Sequence, residues 1–133
     1  MTNLRDLVQP SEWSRPFWTG GANDELLIYR CQQCRRWFHP PAPACCHCQS
    51  RQVAPEPASG YGTVQTFTVN HHPWSNTFPP PYVISIVALA EDPGTRVTTN
   101  IVNCNPDAVF VGMPVHVLFR PAGDIYLPLF EPV

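Results

Sequence analysis

From Gly60 onward, apolar and polar positions alternate in short runs separated by turn-forming residues, the period-2 signature of half-buried strands. Residues 61–70 (YGTVQTFTVN) alternate and are rich in β-branched side chains. Residues 82–90 (YVISIVALA), 96–103 (RVTTNIVN), 115–120 and 125–130 read as four further strands. The turns between them fall at Glu91-Asp92-Pro93-Gly94, at Gly112-Met113-Pro114 and at 121–124. Five strands in roughly 70 residues without a convincing helix predict a small closed barrel. The OB-fold is the commonest five-stranded solution, and an SH3-like barrel satisfies the same strand count. Residues 107–111 lie where an OB-fold places a crossing turn or helix between its third and fourth strands.

The front half has a different pattern. Residues 10–18 (PSEWSRPFW) predict a short helix with Ser11 as N-cap, Glu12 near its positive end and Pro16 limiting its length. Trp13, Phe17 and Trp18 give it an apolar face that must pack on the body or on a partner. Gly20-Gly21 breaks the chain, 26–30 (LLIYR) reads as a strand, and 36–39 (RWFH) returns from it. Residues 51–59 read as a polar, proline-bearing link.

Between these segments lie Cys31, Cys34, Cys45 and Cys48, spaced C-x2-C-x10-C-x2-C. Two such pairs on facing tight turns place four thiolates tetrahedrally, an arrangement suited to Zn²⁺. With four protein ligands the ion has no open position, so the site is expected to be structural rather than catalytic. The whole unit reads as a zinc ribbon with almost no core of its own, dependent on metal for its fold. Iron is the main rival in an S4 site. Cys46 adjoins a ligand, but the spacing to Cys48 favours Cys45, and Cys104 reads as a small buried apolar residue. The expected division is an N-terminal helical segment at 1–25, the ribbon at 26–54 and the barrel at 55–133.

Composition narrows the possibilities. Hydrophobic residues make up 44% of the 133 positions, enough for a packed core, and 17 prolines argue against a helical bundle. Residues 1–10 lack the apolar run of a secretory signal, and no apolar stretch is long enough to cross a bilayer, so a soluble cytoplasmic protein is expected. That compartment is reducing, which favours metal ligation over disulfides. All eight basic residues are arginine, against ten carboxylates, for a formal charge of −2. Four thiolates around a divalent ion take the bound form to about −4. Non-specific nucleic-acid binding needs a positive surface, which this balance does not supply.

Three further groups are candidates for function. His71-His72 ends the first barrel strand and opens the loop HHPWSNTFPPP. One imidazole there could serve as a general base, against a plain hydrogen-bonded loop pair. Trp74, Phe78 and the prolines 79–81 stiffen that loop as a docking edge, unless the two aromatics merely cap the barrel. Arg30, Arg35, Arg36 and Arg51 cluster around the ribbon. They either offset the charge of the metal centre or grip phosphate groups, which arginine can bind bidentately.

Taken in order, these residues resemble a family of acyl-CoA-associated proteins that join an N-terminal helix, a rubredoxin-like zinc ribbon and a C-terminal OB-fold. The match includes Phe17-Trp18, Leu26 before Cys31 and Cys34, Phe38 with Pro40-Pro41 before Cys45 and Cys48, and Gly60-Tyr61-Gly62-Thr63-Val64. It continues through Thr68, Pro81-Tyr82-Val83 and Gly112-Met113-Pro114-Val115. The chain departs from the common pattern at Cys46-His47 and at the turn 91–94. The resemblance implies a mainly β protein that is not catalytic alone, a subunit of an acyl-CoA-processing complex. It would dock on a thiolase-like enzyme of the lipid-transfer-protein type and help hold an acyl-CoA. In some actinobacterial systems such a partner performs retro-aldol cleavage during sterol side-chain degradation. Arg30, Arg35, Arg36, Trp74 and Phe78 are the candidates for contact with the CoA ester. The alternatives are a single-stranded nucleic-acid binder built on the same two folds, or a small acyl-CoA-acting enzyme using His71 or His72.

Overall fold

In the computed structural model, residues 8–74 and 78–133 are described. The first seven positions of the N-terminal segment, and residues 75–77 of the aromatic loop, lie outside the described residues. The chain is mainly β. A short helix α1 (Arg15–Thr19) and a 3-10 turn (Gly20–Asn23) precede strands β1 (Leu26–Cys31), β2 (Trp37–Phe38) and β3 (Val53–Ala58). Then come β4 (Tyr61–Asn70), β5 (Tyr82–Leu89), β6 (Arg96–Ile101), a 3-10 turn (Pro106–Ala108), β7 (Pro114–Ala122) and β8 (Ile125–Pro132).

The five strands predicted from alternation all form, and they close in the order β4-β5-β6-β8-β7. The seam between β6 and β8 is parallel and every other pairing in the barrel is antiparallel, as an OB-fold requires. That seam is brief. Ile101 is in register with Phe130, and the Val102 amide donates to the Phe130 carbonyl at 2.8 Å. Thr99 adds a side-chain bond, its hydroxyl donating to the Pro128 carbonyl at 3.0 Å. The crossing segment expected at 107–111 overlaps the 3-10 turn at Pro106–Ala108, opened by Asn105, whose side chain accepts from the Asp107 amide.

Two expectations fail. The stretch 51–59 is not a link, because Val53–Ala58 pairs with all six residues of β1 and makes the ribbon sheet three-stranded, in the order β2-β1-β3. Its prolines misled the reading. Pro55 and Pro57 stand opposite Tyr29 and Leu27 on the outermost strand, a position where a missing amide hydrogen is tolerated. Helix α1 begins at Arg15 with Ser14 as N-cap rather than at Ser11, and Pro16 lies in its first turn. Proline opens a helix there, since that amide has no intrahelical acceptor. Ser11 instead exchanges hydrogen bonds with Ser14 in the preceding turn.

The ribbon also owns more core than its sequence suggests. Leu26, Ile28 and Trp37 join Phe17 and the barrel residues Val64, Val87 and Phe130 in one buried cluster. Tyr29, Cys31, Phe38 and Cys45 form a second, small cluster around the cysteines. Strand β1 therefore has one face in the barrel core and the other in the ribbon. The aromatic N-terminal segment packs on the body through buried Phe17, and the adjoining turn approaches β8 so closely that a Cβ on Gly21 would meet the Tyr126 Cβ at 2.5 Å.

His39 lies in this junction, its ring 4.9 Å from that of Phe17 and its buried Nδ1 without a hydrogen-bond partner among the described residues. Burial pulls its pKa from 6.5 down to about 4. An unfolded chain takes up a proton below about pH 6.5, and the folded one does so only near pH 4. Stability should be full above pH 6.5 and fall as the pH drops towards 4, by roughly 3 kcal/mol at the lower end. The measurement is denaturant unfolding at pH 7 and pH 4.5 for the wild type and His39→Phe. The variant should lose less over that interval, because the loss due to carboxylates and thiolates is common to both.

Candidate metal centre and docking loop

The two cysteine pairs sit on turns that repeat each other bond for bond. In the first, the Arg35 amide donates to the Cys31 carbonyl at 3.0 Å and the Cys31 amide to Arg36 at 2.9 Å. In the second, the Gln49 amide donates to the Cys45 carbonyl at 2.9 Å and the Cys45 amide to Ser50 at 2.8 Å. Arg35 and Gln49 both adopt φ of 65°, the left-handed conformation that lets each turn double back. A side chain pays for that conformation, so Gln49→Gly should be neutral to stabilising, by about 0.5 kcal/mol. Thermal melting of the metal-loaded variant checks this.

The four sulfurs lie within 4.8 Å of one another. Cys31 and Cys48 are 3.5 Å apart and Cys34 and Cys45 3.7 Å, close to the ~3.8 Å edge of a Zn–S tetrahedron with bonds of about 2.3 Å. Cys31 and Cys45 are buried, whereas Cys34 and Cys48 are exposed. Backbone amides point at the buried pair: Cys34 and Gln33 to the Cys31 sulfur at 3.3 and 3.4 Å, His47 and Cys48 to the Cys45 sulfur at 3.3 and 3.5 Å. The Cys34 amide is the largest influence holding the Cys31 thiol down to about 6. Burial pushes the Cys45 thiol up, but the amides of Cys48 and His47 bring it below its ordinary value. Cys34 is pulled down by the Arg36 amide yet ends at about 11, raised by burial and its three sulfur neighbours. Four sulfurs this close ionise together only around a cation, so the donor set fits a soft divalent metal.

The neighbours of the cluster are not part of it. Cys46 is exposed and outside the group of four sulfurs. His47 directs Nε2 at the Trp37 carbonyl, 3.2 Å away, which makes that nitrogen a donor. Cys104 is half-buried against the main core, and desolvation raises its pKa.

Three of the four ribbon arginines, Arg30, Arg35 and Arg36, are paired with carboxylates of the chain. Glu56 receives Arg30 at 3.5 Å and Arg35 at 3.2 Å, and Arg30 also lies over the Trp37 ring at 4.7 Å. The Gln32 amide group at 2.8 Å, then the two guanidiniums, hold the Glu56 carboxyl below its usual range. Arg36 pairs with Asp92 at 3.7 Å, and Arg51 is exposed. Sequence reasoning missed both acceptors. Glu56 is the only carboxylate in the proline-bearing stretch, and Asp92 sits in the turn that departs from the family pattern. That turn also reaches the residue that follows the ribbon's last strand, since Glu91 accepts from the Ser59 amide and hydroxyl.

In the loop 71–81 the two aromatics separate. Phe78 packs beside Leu127 and Leu129, 5.7 Å from the Tyr82 ring and beneath the Arg120 guanidinium at 5.3 Å. Trp74 is 72% exposed yet held in place. Its indole nitrogen donates to Asn70 at 2.8 Å, its amide to His72 at 2.9 Å, and its ring packs on His72 at 4.2 Å. His72 is thus occupied as a platform. No helix among the described residues is long and apolar enough to cross a membrane.

Comparison with known proteins agrees with this geometry. Residues 18–54 match the family model described as the ChsH2 rubredoxin-like zinc ribbon domain, and 55–120 the ChsH2 C-terminal OB-fold domain. A probable enoyl-CoA hydratase alpha subunit from Thermomonospora curvata is 41% identical over 87% of this chain and 36% of its own length. The 3-oxo-4,17-pregnadiene-20-carboxyl-CoA hydratase alpha subunit of Mycobacterium tuberculosis is 32% identical over 98% of this chain and 44% of its own. The chain therefore spans less than half the length of these two relatives. A solved chain of an Ltp2-ChsH2(DUF35) aldolase superposes with a TM-score of 0.83 at 36% identity, covering 94% of this chain and 98% of that one.

Proposed function

The chain belongs to the ChsH2 family of DUF35 zinc ribbon–OB-fold proteins, and from that premise we propose that it is a non-catalytic accessory subunit docked on a thiolase-like enzyme. One observation carries the reading: the likeness to the chain from the Ltp2-ChsH2(DUF35) aldolase, which runs the length of both. Cys31, Cys34, Cys45 and Cys48 hold a structural Zn²⁺, whose chemistry is confined to binding four thiolates. The barrel supplies a wall and the loop around Trp74 an anchor. By holding the long CoA arm remote from the reacting bond, the complex would orient the thioester in the partner's active site. The reaction class is retro-aldol cleavage of a β-hydroxyacyl-CoA, in keeping with the aldolase, and the name of the pregnadiene-carboxyl-CoA hydratase relative supports a steroid acyl group.

Copurification with a thiolase-like protein from the same genome tests this, followed by cleavage assays with and without the chain. A stable complex with cleavage dependent on it supports the reading. A partner fully active alone, with no complex formed, overturns it.

A second reading rests on the two hydratase relatives. The chain would then be the ribbon–barrel module of an acyl-CoA hydratase, and hydration of an α,β-unsaturated acyl-CoA by the copurified complex would identify it.

A further inference from the structure

The second knuckle carries one thiol more than its metal site uses. Cys46 lies between the ligands Cys45 and Cys48, is exposed, and has no hydrogen-bond partner among the described residues. The four ligand sulfurs are not alike either. Cys31 and Cys45 are buried and each accepts two backbone amides. Cys48 is exposed, and no amide among the described residues lies within hydrogen-bond reach of its sulfur. The thiolate is the nucleophile of cysteine chemistry, and it reacts where it is exposed and its charge is least taken up by donors. By both measures Cys48 is the reactive corner of the site, with a second thiol two residues away.

The surroundings select the reagent. Residues 46–49 are all exposed, so a small neutral oxidant of the peroxide class reaches the Cys48 sulfur without movement of the chain. Damage at this corner also travels. Cys31 ends strand β1, whose Leu26 and Ile28 belong to the core shared with the barrel.

We propose that the second knuckle is a peroxide-sensitive switch, in which Cys48 is the oxidised sulfur and Cys46 the thiol that resolves it. The Cys48 thiolate attacks one oxygen of hydrogen peroxide; the S–O bond forms, the O–O bond breaks, and hydroxide leaves. The Cys46 thiol then attacks the sulfenic sulfur; the S–S bond forms, the S–O bond breaks, and the thiol proton departs with the hydroxyl as water. The Gln49 amide closes this turn on the Cys45 carbonyl. Residues two apart in such a helical turn have Cα atoms about 5.4 Å apart, within the roughly 4.4–6.8 Å a disulfide spans, but their side chains diverge. The bridge therefore forms as Cys48 leaves the metal and the turn opens, and three thiolates remain where four held the ion. A dithiol reductant reverses the bridge and the site refills. Without Cys46 the sulfenic acid meets a second peroxide, and the sulfinic acid that results is not reduced by thiols. The switch is independent of the accessory role.

Zinc-loaded protein treated with hydrogen peroxide beside a chromogenic zinc chelator, followed by peptide mass mapping, tests the proposal. The wild type should release about one zinc per chain and carry a Cys46–Cys48 bridge. Dithiothreitol with added zinc should restore both the metal and the original melting temperature. Cys46→Ser, outside the four ligands, should start with the same zinc content and be trapped by dimedone at Cys48. On longer exposure it should hold sulfinic acid there and fail to refill. Cys46→Ala replaces it if serine disturbs the turn. Zinc that stays bound while peroxide oxidises Cys46 alone, or that the chelator removes equally fast without peroxide, overturns the switch. A bridge between two ligands, such as Cys34 and Cys48, or a Cys46→Ser protein that refills as fully as the wild type, removes Cys46 from the chemistry and refutes the proposal. A first dimedone adduct on buried Cys31 or Cys45 refutes it as well.

Discussion

Cys31→Ser and Cys45→Ser should each be purified almost free of metal, whereas the wild type carries about one zinc per chain. Both replace a buried sulfur that accepts two backbone amides, so a soft thiolate ligand is lost and the hydroxyl oxygen that takes its place, on a shorter bond, sits back from the metal and the amides. Structural zinc binding is worth about 10–16 kcal/mol in small ribbons and fingers, more than such a unit can recover by packing. The exposed Cys46 should not rescue Cys45→Ser, because it is one residue too close to Cys48 to build the same turn. Metal analysis and the thiolate-to-metal charge-transfer band of the cobalt-substituted protein read the result directly. Iron as the bound metal would overturn the structural-zinc assignment.

The damage should not stop at the ribbon. Strand β1 gives Leu26 and Ile28 to the cluster that also holds Val64, Val87 and Phe130. Chelation should therefore lower the midpoint of barrel unfolding as well. Two independent transitions, with the barrel's unmoved, would show that this shared face carries little energy.

Phe130→Ala is the second substitution with a large expected effect. Phe130 is fully buried, pairs with Val117 on one side and Ile101 on the other, and so sits at the closure of the barrel. Truncating a buried phenylalanine costs about 3–5 kcal/mol. Against a total of about 5–15 kcal/mol, that removes a large fraction of stability, and the melting temperature should fall by roughly 10–20 °C. The brief seam with β6 offers few other contacts to absorb the cavity. A loss under about 1 kcal/mol would mean that the seam does not depend on this ring.

The barrel was legible because its strands are half-buried and alternate, and the metal cluster because ligand spacing is local. What escaped the sequence depends on partners far apart in the chain. Strand β3 is masked by prolines whose tolerance comes only from its outer position. The arginines around the ribbon read as counter-charges to the metal centre or as phosphate ligands until Glu56 is seen across the sheet from Arg30 and Arg35, 26 and 21 residues away. The loop aromatics read as a pair, yet Phe78 follows the apolar contacts of β8 while Trp74 follows Asn70.

The two prolines of β3 have a further consequence. The three-stranded ribbon sheet ends at that strand, and such a border ordinarily invites another chain to extend the ladder. At Pro55 and Pro57 the nitrogens carry no hydrogen to donate, so a would-be neighbour finds acceptors without matching donors. Along β3 the ribbon sheet is thus a poor template for a further strand, and recruitment of other molecules on that side is left to side chains rather than to the main chain.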